Sequence, residues 1–208
     1  FNTTQIKLNL PSGKNKVLFL LKEGIRLTYH GIRHKVFISH YKGDLKEVDN
    51  FIKQFEKVFI PYILGANDND DFINSSNPEY VMTQIRKRYL LDTTVTIVLI
   101  GKCTHSRRYI DWELKSSLRQ GEYTPNGVIG VLLPSAGGAA HLPPRLSDNW
   151  NRENNCYARY YAYPSTSEQL AAWIDDANAA RKTRAYLIKN SQEMMKYNSK
   201  CKICGITH

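Results

Sequence analysis

Among the titratable residues of the chain, Glu113 has the most suggestive setting. It lies in the run TVTIVLIGKCTHSRRYIDWELKSSL, residues 94–118, where an apolar strand ends at Gly101 and an amphipathic stretch follows. A carboxylate two turns into a helix that starts beyond the C-terminal end of a central strand stands where open α/β sheets bind ligands. Its helical neighbours at i−4 and i+3 are Tyr109 and Ser116, an aromatic ring and a hydroxyl. Taken from spacing alone, the commoner explanation is a partly buried Glu paired with Arg107, Arg108 or Lys115, because structural ion pairs are common.

Ser39, His40 and Tyr41 end an earlier apolar run, KVFIS, and are candidates for the same pocket, with Asp44 capping the helix behind them. His40 could equally be a solvated loop histidine. Arg107 and Arg108 could hold phosphates, since guanidinium groups pair with them bidentately, or at least one is a surface charge. Cys201-Lys-Ile-Cys204-Gly, with His208, is half of a zinc-ribbon pattern. A single CxxC pair is weak support for a metal. The expectation is therefore a frayed tail with no metal, whose removal from Tyr197 onward leaves folding and activity unchanged. Gly137-Gly138 follows a strand, yet no GxGxxG or GxxxxGK[ST] arrangement occurs.

The elements that must position these residues follow from periodicity. From Lys35 on, short β-branched runs alternate with amphipathic stretches, the pattern of a parallel sheet covered by helices. The spacing predicts strands at 35–39, 58–64, 94–100 and 128–133. It predicts helices at 44–57, from Pro78 to about Leu91, at 107–120 closed by Gly121, and from a Ser165 or Thr166 cap to about Arg184. Ile110, Leu114 and Leu118 should form a buried stripe. Residues 65–78, rich in Asn, Asp and Ser, read as a long functional loop, and 135–155 as irregular structure. Residues 1–33 form an extension with a hairpin around Pro11-Ser12-Gly13, residues 34–184 the main domain and residues 185–208 a C-terminal helix or tail. An alternative is a natural start near Leu27, since Lys22-Glu23-Gly24 can be encoded by a ribosome-binding-site-like stretch.

At 208 residues the chain suits one main domain with extensions. The net charge of +10 could attract nucleic acid, an anionic membrane or a dinucleotide alike. Nucleic acid is disfavoured because no helix interleaves aromatic and basic residues along one stripe. The longest apolar runs fall far short of the roughly 20 residues of a membrane-spanning helix, so no membrane partner is expected. The N-terminus has no signal-peptide pattern, and four cysteines are too few and too scattered for a disulfide framework, so a cytoplasmic location with reduced thiols is expected.

Ser106, Tyr109, Ile110, Glu113 and Leu114 resemble the TIR-domain pattern of a serine, an aromatic residue three positions on, and a catalytic glutamate followed by leucine. The segments HKVFISHYKGD, residues 94–118 and VIGVLLP are similar to the TIR-like ThsB proteins of the Thoeris antiphage system, over about residues 34–180. Three positions depart from the pattern. Tyr109 stands where Trp is frequent, Ile110 where Cys is frequent, and Trp112 directly precedes the Glu. The resemblance implies an α/β flavodoxin-like TIR fold, a central mostly parallel sheet with helices on both faces. It also implies an enzyme that cleaves NAD as substrate, without a cofactor, and releases an ADP-ribose-derived signal to a downstream effector. Glu113 would be catalytic, and Ser39, His40, Tyr41, Ser106, Arg108 and Tyr109 would bind substrate. A phage-derived trigger and a homo-oligomer on activation complete that expectation, with the 65–78 loop ordered by assembly. The other function open to such a domain is a non-catalytic adaptor acting by self-association.

Overall fold

A computed structural model of the chain describes residues 4–8, 16–21, 24–25, 31–63, 77–137 and 141–207. The expected 65–78 loop, apart from Asn77 and Pro78, the hairpin turn at 11–13, Gly138 and His208 lie outside the described residues. β1 (Thr4–Leu8), β2 (Lys16–Leu21) and β3 (Gly24–Ile25) pair antiparallel in a sheet of their own.

The main sheet contains β4 (Lys35–His40), β5 (Ile60–Ile63), β6 (Val95–Ile100), β7 (Gly127–Leu132) and β8 (Arg159–Tyr161), all parallel, in the order β5-β4-β6-β7-β8. This is the flavodoxin-like order, in which the chain winds outward on one side of the first strand and then on the other. The reversal falls between β4 and β6, where Ser39 is opposite Val98 and His40 opposite Leu99. β8 was not expected, because RYY is a three-residue edge strand set directly after irregular chain.

Strand alternation sends side chains to two covered faces. Val36 and Ile38 of β4, with Val95, Ile97 and Leu99 of β6, meet α1 (Leu45–Gln54) and α5 (Ser167–Thr183). Phe37 faces the other way, toward α2 (Pro78–Ile85) and Trp112 of α3 (Arg108–Ser117). Val98 and Ile100 pack on Ile110, Leu114 and Leu118, with Leu146 of α4 (Pro144–Asp148) beside them. β6 is buried at all six positions, as a central parallel strand must be.

Capping chemistry accounts for two of the helix starts. The Asn77 side chain accepts from Glu79 N and Tyr80 N ahead of Pro78, and Thr166 accepts from Gln169 N. α2 ends in a π turn, Arg86–Leu90, closed by Leu91 N donating to Arg86 O at 2.9 Å. Asp44 does occupy the N-cap position of α1, but its side chain makes no capping bond. Gly121, at φ 104°, stands three residues past the C-cap Leu118, so α3 is shorter than expected. Among the described residues no helix is long and apolar enough to cross a membrane.

The frayed tail is corrected by the structure. Residues 189–204 run antiparallel along α3 as a strap. Asn190 Nδ2 donates to Lys115 O at 3.0 Å, Trp112 Nε1 to Met195 O at 2.8 Å, Arg108 N to Asn198 Oδ1 at 2.9 Å and Ser199 N to Ser106 O at 2.9 Å. Asn198 thus supplies the acceptor that the N-terminus of α3 lacks from its own cap residue. Polar composition hid this, because the strap is held by backbone and amide hydrogen bonds rather than by an apolar stripe.

Candidate active site

β4 places Ser39 on the same face as Phe37, and α3 crosses that face with Glu113 turned inward. The Ser39 hydroxyl donates to Glu113 Oε2 at 2.6 Å, and the two residues are 0% and 4% exposed. Among the described residues no cation forms an ion pair with Glu113, so the pairing with Arg107, Arg108 or Lys115 that spacing favoured does not occur. Burial pushes its carboxyl up from 4.5 to about 8, and only the Ser39 bond pulls the other way. A titratable group so displaced, at the point where the strand order reverses, marks a candidate functional site.

Around this pair the chain leaves β4. His40 is half-buried, its Nδ1 3.4 Å from Ile38 O, and burial lowers its pKa below the ordinary 6.5, so the ring is neutral near pH 7. Tyr41 lies under the Arg107 guanidinium, 3.8 Å from ring centroid to Cζ. Arg107 is buried, and its Nε and Nη2 have no hydrogen-bond partner in the described structure. Two buried guanidinium donors left open are costly unless a ligand fills them. The Asp44 carboxyl reaches across to Thr104 Oγ1 at 3.4 Å and presses on Gly101, where a β-carbon would collide with it. Burial, then Glu47, raises the Asp44 pKa, opposed by Thr104 and Arg107.

The sequence-predicted residues therefore divide. Ser39 meets Glu113 directly, and His40 and Tyr41 continue from Ser39. Tyr109, one turn before Glu113, packs edge-on to Trp112 at 5.3 Å and accepts from Arg108 Nη2 at 3.1 Å. The Ser106 hydroxyl closes its own turn, donating to Cys103 O at 2.9 Å. Arg108 is turned to the strap, donating to Lys196 O at 3.3 Å and lying over Trp112 and Tyr109. Its bonds account for it structurally, and the open donors belong to Arg107 instead. Spacing could not separate two adjacent arginines, because the turn after Ser106 decides which one is buried. The reach of Asp44 to Gly101 and Thr104 had one signal, a glycine directly after the most apolar strand. A cavity of about 300 Å³ lined in part by Asn149, Trp150, Cys156 and Lys189 shares no residue with this site.

Residues 37–137 match a family model described as the TIR-like domain of Thoeris protein ThsB. No match was found among curated proteins.

Proposed function

Residues 37–137 are a TIR-like domain of the Thoeris ThsB family, which implies a role in Thoeris antiphage defence, and from that premise we propose that the chain cleaves the nicotinamide glycosidic bond of NAD with Glu113 as the catalytic carboxylate. The observation that carries this reading is the buried Glu113–Ser39 pair, with which no cation among the described residues forms an ion pair. A buried carboxylate short of positive charge gains most where such charge develops, in a site where water is excluded.

Heterolysis of the C1′–N bond sends the electron pair to the pyridinium nitrogen and leaves an oxocarbenium-like ribose. The pyridinium becomes neutral nicotinamide, so no general acid is needed. The Glu113 carboxylate, one helical turn beyond Tyr109, stabilises the cation, and Ser39 holds the carboxylate in orientation. Arg107, with donors unfilled, is the group suited to a phosphate of the dinucleotide. The cation is then captured by water or by another nucleophile, giving an ADP-ribose-derived product for a downstream effector.

The test is incubation of the purified chain with NAD, with and without phage-infected lysate, and resolution of products by mass spectrometry. Glu113→Gln should fold, by circular dichroism, and lose about 10² to 10³ of the rate or more. A folded variant with wild-type turnover rejects the catalytic assignment. No cleavage by the wild type under any trigger leaves the adaptor function.

A further inference from the structure

Cys103 follows β6 by three residues, while Cys201 and Cys204 come from the end of the strap, about a hundred residues later in the chain. Their sulfurs converge: Cys103 Sγ is 3.3 Å from Cys201 Sγ and 3.5 Å from Cys204 Sγ, and all three lie within 4.8 Å of one another. A disulfide would use two of them at about 2.05 Å and strand the third. In a tetrahedral zinc site with Zn–S about 2.3 Å, the sulfurs stand about 3.8 Å apart, which the observed spacings approximate.

The backbone around the CxxC pair is shaped for the same purpose. Cys204 N donates to Cys201 Sγ at 3.5 Å, and Gly205 N donates to Cys201 O at 2.9 Å. Gly205 has φ 75°, a conformation that side chains disfavour, and it lets the turn close. N–H donation onto sulfur favours a thiolate, the form that binds metal. Three thiols facing one another with their protons on are weak hydrogen-bonding partners and gain little from meeting. A soft divalent cation gives the cluster a physical reason.

We propose that Cys103, Cys201 and Cys204 bind a zinc ion that clasps the C-terminal strap to the loop between β6 and α3. Binding displaces three thiol protons to solvent with no change of oxidation state. The fourth position is open to water on the side of Cys204, which is exposed. The clasp lies three residues before Ser106 and four before Arg107, so it would hold the turn that buries that arginine. The expectation of no metal is revised accordingly: half of a zinc pattern in sequence gains its third ligand from a distant loop. This inference does not depend on NAD cleavage, and its readout is metal content.

The full chain, purified under reducing conditions from zinc-supplemented medium, is assayed for zinc by plasma mass spectrometry and, after exchange, for the visible absorption of tetrahedral thiolate-bound cobalt. Stoichiometric zinc and the cobalt spectrum are expected in the wild type and in Cys156→Ser, whose thiol is hydrogen-bonded to Asn151 O and Ala158 O elsewhere. Cys103→Ser and Cys204→Ser should lose both. Because Cys204 is exposed, its variant should fold, and chelation of the wild type followed by zinc return tests the site without any substitution. Zinc well below one per chain with no cobalt spectrum overturns the proposal. So does full metal retention in Cys103→Ser, or a disulfide between two of the three thiols in the metal-free wild type.

Discussion

Two carboxylates two residues apart on α3 meet opposite fates. Asp111 and Glu113 are 2% and 4% exposed. Asp111 receives Arg145 Nε at 2.8 Å and Nη2 at 3.3 Å, together with Met195 N at 2.9 Å, and the Arg145 side chain is itself fully buried. Arg145 spends its other donors on Asn190 Oδ1, Gln192 O and Glu193 O, so the pair anchors the strap. Among the described residues Glu113 has the Ser39 hydroxyl alone. Burial is the same on both sides of the helix, and the difference lies in compensation. A buried ionisable group with full partners holds structure together, whereas one left short of them has its pKa displaced and is a candidate to act on a ligand.

The largest expected effect breaks the compensated side. Asp111→Ala leaves Arg145 buried and unpaired, which should destabilise the protein by about 3–5 kcal/mol in denaturant unfolding. Replacing both partners with apolar residues of similar volume should cost clearly less than either single change. Equal costs for single and double variants would show that the pair is not what anchors the strap.

Next, Glu113→Gln should stabilise the protein at alkaline pH. The carboxyl has its pKa raised from 4.5 to about 8 on folding, so the folded state holds a proton that the unfolded chain releases. Wild-type stability therefore falls as pH rises from 4.5 toward 8 and stays low above it. The glutamine variant escapes that loss, which at about 1.4 kcal/mol per pKa unit is on the order of a few kcal/mol. Its advantage in thermal melts should appear near pH 9 and vanish near pH 4. An advantage that is independent of pH would mean that Glu113 is not held uncompensated.

The smallest effect sharpens the uncompensated side. With the carboxylate as the working form, kcat/KM for NAD should rise with pH to a plateau above about 8, the value to which burial pushes Glu113. Ser39→Ala removes the one bond that lowers this pKa. A hydrogen bond of about 1 kcal/mol moves the limb up by less than about one pH unit, for up to about tenfold less activity below it. An unmoved limb with a uniformly lower plateau would make Ser39 a packing residue only.

Much of this molecule is legible in its sequence. The apolar runs at β4, β6 and β7 and the stripe Ile110, Leu114 and Leu118 specify a covered parallel sheet, because a continuously apolar strand must be covered on both faces and a 3.6-residue stripe gives each helix one face to cover it with. Position relative to strand ends picked out Glu113 and Ser39. What periodicity cannot carry is pairing between residues far apart in the chain. That the turn after Ser106 buries Arg107 and not Arg108, that α4 brings Arg145 to Asp111 while β4 brings only Ser39 to Glu113, and that a polar strap returning along α3 carries Cys201 and Cys204 to Cys103 are all decided by the tertiary structure. The strap has no hydrophobic rhythm, so its place is set by backbone hydrogen bonds and by partners that only the folded sheet brings within reach.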